Sequence, residues 1–291
     1  MRRTLLTATI ALPLLCPAFA QAQPRVTNGR LIPQTAGAGL AATVRSIGTA
    51  QTEPVWIGYT APARPGDYEM CCGENGYWGS CGLEPRARTI VQPSAGGGGT
   101  ARLEGPQSVM ILLRVEDKAV QKIRTFSPDC ELDAGGRSIY WLDSVKGADS
   151  ISFLSSFVSD EGKRNDRLSS SALAAIAMHG DPAAVPALIA FARRDPSGKV
   201  RGDALFWLAQ RAGEQAAGQI TAAIEQDPDT EVKRRAVFAL SQLPKDEGVP
   251  LLIQTARTNK NPVVRKQAMF WLGQSKDPRA LAFFEEILGK N

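Results

Sequence analysis

The sequence predicts an α+β chain of two parts, a small disulfide-bonded, mostly antiparallel β domain followed by an α-solenoid. Three observations predict it. First, residues 164–291 divide into four consecutive blocks of 32 residues: Val200-Arg201 returns as Val232-Lys233 and Val264-Arg265, with Ala204, Ala236 and Ala268, then Leu208, Leu240 and Leu272, in step. Repeats of this length are units that cannot bury an apolar face alone and must stack on their neighbours. Second, residues 24–146 hold the strand and turn signals and the cysteines Cys71, Cys72, Cys81 and Cys130. Third, residues 147–291 contain no cysteine and are rich in Ala, Leu, Gln, Lys and Arg, a helical composition.

Residues 1–22 read as a signal peptide. Arg2 and Arg3 precede a short apolar run from Thr4 to Leu15, and small-x-small sites place cleavage after Ala20 or Ala22. The run is shorter than the roughly 20 residues of a membrane span, so the expectation is a periplasmic, secreted protein without a transmembrane segment. Loss of the two arginines lowers the formal charge from +5 to +3. With no concentrated basic patch, that balance argues against nucleic acid as a partner.

Within residues 23–146, strand signals dominate from Leu40 onward. Val55-Trp56-Ile57-Gly58-Tyr59, Ser108 to Val115, Ala119 to Phe126 and Ser138 to Leu142 are β-branched or aromatic runs bounded by turn residues. Glu116-Asp117-Lys118 suggests a tight hairpin, and the glycine tract from Gly96 to Gly99 lacks the lysine and helix start of a phosphate cradle. Four cysteines in an exported chain point to disulfides. Adjacent cysteines bond each other only with strain, so Cys71 and Cys72 are each expected to pair with Cys81 or Cys130. Without paired C-x-x-C spacing, no metal is expected at these thiols. Asp129, Glu131, Asp133 and Gly135 mimic the start of a calcium loop, but Tyr140 stands where the bidentate glutamate belongs.

In residues 147–291 each 32-residue unit holds two helical patterns. Asp195-Pro196, Asp227-Pro228 and Asn261-Pro262 mark helix starts, because proline at a first turn costs no hydrogen bond and the preceding polar side chain can cap free amides. Residues 148–158 fit the register as a lone second helix, a half-repeat cap ahead of four full repeats. The pattern Val200-Arg201, Ala204, Leu208-Ala209 and Val264-Arg265, Ala268, Leu272-Gly273, with Asp277-Pro278 after it, resembles the HEAT-repeat family in its short, phycobilin-lyase-like form. The resemblance covers about half the chain. It implies a ladder between units in which Asp195 and Asp227 meet Arg201, Lys233 and Arg265, with Lys233 unable to make the forked contact of an arginine. It also implies that the Val-Arg helix lines a concave face.

At about 100° per residue, Val200, Ala204, Trp207 and Leu208 share one helix face and should form the stacking core. Phe206, Phe238 and Phe270 project almost opposite, beside Gln210, Gln242 and Gln274 and next to Arg235. Two readings stand for these rings: neighbouring repeats or the first domain cover them, or the seven residues form a partner-binding surface, since contiguous exposed apolar groups mark interaction sites.

For catalysis the sequence offers little. His179 is the only histidine, at a helix end where imidazole commonly meets free carbonyls, and no G-x-S-x-G elbow is present. One histidine cannot supply the several His-Glu pairs of di-iron hydroxylases built on such repeats, and bilin lyases lack the β domain. The expectation is therefore a non-catalytic scaffold of the cell envelope, not an enzyme, without cofactor, that holds another protein or peptide on the concave solenoid face. The alternatives are an enzyme or enzyme-associated factor with a site in the β domain, directed at glycans around Trp56, Tyr59, Tyr77 and Trp78, or a solenoid that only mounts that domain.

Overall fold

The computed structural model describes residues 23–66, 70, 71, 73, 74, 77–79, 81–85, 91, 92, 107–159, 163–211 and 213–289. The chain opens with β1 (Arg25–Thr27) and β2 (Arg30–Thr35), then α1 (Leu40–Ala50) and β3 (Val55–Pro62). Short strands β4 (Gly73–Glu74), β5 (Tyr77–Gly79), β6 (Cys81–Gly82) and β7 (Val91–Gln92) follow. The long hairpin β8 (Ser108–Glu116) and β9 (Ala119–Phe126) precedes β10 (Glu131–Asp133) and β11 (Ser138–Asp143).

The main sheet has the order β2-β11-β3-β8-β9. Its centre differs from the antiparallel expectation, because β11 runs parallel to both β2 and β3 while β3, β8 and β9 alternate in direction. The last strand of the region thus closes between two of the first, a long-range pairing that no local turn signal announces. Helix α1 also falls where strand signals were expected; its buried Leu40, Val44 and Ile47 form a helical stripe. The hairpin is as expected: Asp117 and Lys118 both have positive φ, the geometry of a two-residue turn matched to strand twist.

Side chains alternate across the sheet. Trp56, Met110, Leu112, Phe126 and Trp141 bury one face together with Cys81, Leu83 and Cys130. A disulfide joins Cys71 to Cys130, one of the expected pairings. Cys81 is disulfide-bonded too, with its partner outside the described residues, where Cys72 also lies. The other face presents Ile57, Tyr59, Ile111, Leu113 and Leu142 to the helices.

Those helices are α2 (Gly147–Ser155), then the pairs α3 (Lys163–Met178) with α4 (Ala184–Arg194), α5 (Gly198–Ala209) with α6 (Gly213–Gln226), α7 (Thr230–Ser241) with α8 (Lys245–Thr258), and α9 (Pro262–Gln274) with α10 (Pro278–Leu288). Helices α3, α5, α7 and α9 stack in one layer, and α4, α6, α8 and α10 in the other. Val200, Val232 and Val264, then Ala204, Ala236 and Ala268, then Leu208, Leu240 and Leu272, are buried in the seam. Small alanines at the second position let the inner helices approach. The caps sit two residues later than the Asp-Pro pairs suggested: Ser197 and Asp229 accept from Val200 and Glu231 amides, whereas Asp195 and Asp227 accept from Ser197 and Asp229. Asn261 and Asp277 cap their helices directly.

One apolar core runs from the sheet into the solenoid, through Tyr59, Val109, Ile151, Leu154 and Leu173. Within it the Tyr59 hydroxyl bonds to Ser150 at 2.8 Å. Burial pushes the Tyr59 phenol pKa up against the opposing pull of that bond.

Candidate functional site

The Phe-rich surface of the inner helices is a mixed aromatic row. The Phe206 and Phe238 rings stack in parallel, with centroids 5.8 Å apart and planes within 3°. Trp271, at 4.9 Å from Phe238, stands between it and Phe270, which meets Trp271 edge-on at 5.0 Å. Trp207 closes the other end against Phe206 at 5.1 Å. Phe206, Phe238, Trp207 and Trp271 are half-buried and Phe270 is 53% exposed. Both tryptophans therefore lie within the row, although helical phase had placed Trp207 in the stacking core. The row buries its own members because rings 32 residues apart come into register when the helices stack. Alongside it the Gln210 amide donates to the Gln242 side chain at 3.3 Å, while Gln274 is exposed. On the far flank Asp203 accepts from Arg235 at 2.7 Å and from Lys199 at 3.2 Å. Gly202 makes this possible: a Cβ there would lie 2.4 Å from Arg235 Cδ.

A larger opening lies nearer the sheet. A cleft of about 1190 Å3 lies where α3, which packs on β9, and the start of α5 meet that strand. Gln121, Lys122, Ile123, Arg124 and Thr125 form one side; Arg167, Leu168, Ser170, Ser171 and Ala174 form the other, with Lys199 at the end. Lys122 and Arg167 are exposed. Arg124 is tied down, donating to the Gly82 carbonyl at 2.7 Å and lying over the Phe126 ring, and burial lowers its pKa. No carboxylate lines the cleft among the described residues. Ser170 also borders the space beside Phe206, Trp207 and Phe238, so cleft and aromatic row adjoin.

His179 lies elsewhere, fully buried where the end of β3 meets the α3–α4 turn. Its Nδ1 accepts from the Asp181 amide instead of donating to a carbonyl, and Nε2 has no partner among the described residues. The Gly180 amide donates to the Pro62 carbonyl at 2.6 Å and the Arg64 amide to Met178 at 2.9 Å. A Cβ on Gly180 would stand 2.4 Å from the Ala63 carbonyl oxygen, so only glycine fits that seam. Burial drives the imidazole pKa down from 6.5 to about 4, with Arg211 lowering it and Asp181 opposing. This histidine is a structural group.

Trp56 and Tyr59 are also fully buried, which removes them from any glycan surface. Trp56 donates to Glu84, which two Arg114 bonds also hold. The side chains of Tyr77 and Trp78 lie outside the described residues, as does the glycine tract. In the calcium-like segment the Asp133 carboxylate is buried and spent on Asn28 and the Gly135 amide. Among the described residues, no three His, Cys, Asp or Glu side chains are placed to share a metal ion.

The family model for HEAT repeats matches residues 219–291. That segment is a HEAT-repeat array. No curated protein sequence matches the chain. Among solved structures, human deoxyhypusine hydroxylase in complex with glycerol is similar over 43% of this chain and 43% of its own, at 21% identity and a TM-score of 0.35. The complex of CpcE and CpcF of phycocyanin lyase from Nostoc sp. PCC7120 is similar over 50% of this chain and 91% of that one, at 18% identity and a TM-score of 0.38. The Escherichia coli protein YibA follows, at 23% identity over 48% and 54% with a TM-score of 0.34. The chain thus spans less than half of the hydroxylase's length.

These findings correct four expectations. The reading as a non-catalytic scaffold, and with it the exclusion of enzyme activity, gives way because HEAT-like repeats are found in proteins named as a hydroxylase and a lyase. A role in protein binding alone goes with it. The periplasmic, secreted assignment is also withdrawn: the human and Nostoc neighbours lend it no support, and residues 1–22, on which it rested, lie outside the described residues. The cell envelope consequently drops out of the partner description. HEAT-like repeats mediate protein–protein contact, and no helix among the described residues is long and apolar enough to cross a membrane.

Along the helical repeats the implied ladder has one rung among the described residues. Arg201 holds Asp227 through two bonds, 2.8 and 2.9 Å, and donates to the Asp195 and Pro196 carbonyls. Lys233 reaches the Glu225 carbonyl instead, and Arg265 the Asn259 and Lys260 carbonyls. The residue 32 places after Asp227 is Asn259, which offers no carboxylate to Lys233. The cleft between β9 and α3 went unseen in the sequence because it is assembled by strand order and helix docking. The exposed Lys122 on a strand is the one local signal that could have pointed to it.

Proposed function

We propose that the chain is an enzyme or enzyme-associated factor that takes a polypeptide substrate in the cleft between β9 and α3. The observation that supports this reading is the cleft itself, about 1190 Å3 in volume, flanked by strand β9 on one side and the first full repeat on the other. Its lining combines an apolar wall at Leu168 and Ala174, the hydroxyls of Thr125, Ser170 and Ser171, and the exposed cations Lys122 and Arg167. That mixture of apolar surface and a few placed polar groups is typical of ligand clefts. A peptide array probed with the full chain and with the Lys122→Glu/Arg167→Glu variant tests the reading. Peptides retained by the native chain should be lost by the variant at an unchanged Tm. Equal retention by both, retention that instead depends on Phe206 and Phe238, or no retention at all overturns it.

A further inference from the structure

We infer that the outer edge of β9 takes an acidic, extended polypeptide segment as a sixth strand of the main sheet. The inference rests on the cleft reading above and names the class of its occupant. Strand β9 ends the order β2-β11-β3-β8-β9, and among the described residues it pairs with β8 alone. Five consecutive residues, Gln121 to Thr125, line the cleft. Successive side chains of a strand point to opposite faces. A cleft touched by all five must therefore run along the edge of the strand, where its outward amides and carbonyls lie. Such an edge is a template for strand addition, in which main-chain bonds supply affinity and alternate side chains supply selectivity.

The walls indicate which side chains would suit. Leu168 and Ala174 of α3 offer apolar surface along one side. The charged groups along the opening are Lys122, Arg124, Arg167 and Lys199, with no carboxylate among the described lining residues. Lys199 is engaged with Asp203 and Arg124 with Gly82, which leaves Lys122 and Arg167 as the exposed charges at the two rims. Five residues in extended form span roughly 17 Å. A segment alternating acidic and apolar residues would set carboxylates toward Lys122 and apolar groups toward Leu168 and Ala174, with Arg167, on the same helix as those two, meeting a carboxylate only at the segment's end. Lys122 also has a protective reading, since an edge lysine discourages pairing with other chains. The two readings predict opposite outcomes for an acidic strand.

The test uses the full chain and three ten-residue probes: alternating Glu and Val, alternating Lys and Val, and the Glu-Val peptide N-methylated at alternate backbone nitrogens. Fluorescence anisotropy reads binding, and hydrogen–deuterium exchange reads residues 119–126. The expected result is binding of the Glu-Val peptide alone, with slowed exchange in 119–126. Affinity should fall at least tenfold in Lys122→Glu/Arg167→Glu and weaken with added salt. If the N-methylated peptide binds as tightly, or exchange in 119–126 is unmoved, strand addition is refuted while the cleft reading stands. If none of the three peptides binds and the array above is also blank, both fall.

Discussion

Acidification should loosen the seam between the sheet and the repeats through His179. In the folded chain the imidazole is buried and neutral, with its pKa pushed down to about 4 from the usual 6.5 by burial and by Arg211, against Asp181. In the unfolded chain it titrates near its usual value. As pH falls from 6.5 toward 4, the unfolded state therefore binds a proton that the folded state refuses, and stability drops. Below about 4 both states are protonated and the loss is complete. Applied to these two pKa values, linkage gives a loss of about 2 kcal/mol between pH 7 and pH 5 and about 3 kcal/mol in all. Urea unfolding of the native chain and of His179→Gln at pH 7, 6 and 5 measures it. The variant lacks the titrating ring, so its stability should change little over that range, whatever its absolute value. A native chain with no decline from pH 7 to 5, or a variant that declines equally, would refute the reasoning.

Two further outcomes follow from the packing. Within the aromatic row, Phe206→Ala and Phe238→Ala should each lower the Tm more than Phe270→Ala, because the first two stack on each other while Phe270 is 53% exposed; the stacked pair adds about 0.5–1.5 kcal/mol beyond area burial. Equal Tm losses at all three positions would show that the stack contributes nothing. At the described rung, Arg201→Lys should destabilise by about 1–3 kcal/mol through loss of the forked contact to Asp227, whereas Lys233→Ala, whose ammonium donates to the Glu225 carbonyl and lies near Asp227 without hydrogen-bonding it, should cost under about 1 kcal/mol in denaturant titrations.

The helical half was legible because its determinants are local. A 32-residue period, small alanines at fixed places and polar residues ahead of proline specify helix pairs whatever surrounds them. Even there, which side chain would act as cap shifted by two residues, since Asp195 and Asp227 could form either a turn or a cap. The outward phase of Phe206, Phe238 and Phe270 could also be read from the 100° step. Their mutual contact and the place of Trp271 between two of them could not, because both depend on the rotation of one helix against the next. The ladder needed the partner at each step, and of Arg201, Lys233 and Arg265 only Arg201 hydrogen-bonds a carboxylate among the described residues.

In the β region, alternation and the Asp117-Lys118 turn announced the β8–β9 hairpin, a contact between neighbours in the chain. Helix α1 went unread because Leu40, Val44 and Ile47 lie among β-branched residues that also suit strands. The sequence by itself thus determined the stacked repeat, the hairpin and the presence of cysteines able to form disulfides. Only the tertiary structure decided that β11 enters between β2 and β3, that Cys71 meets Cys130, and that β9 is left at an edge beside α3. Period and capping are energies of residues a few positions apart, whereas strand order, cross-links and clefts depend on which distant surfaces bury the most apolar area together.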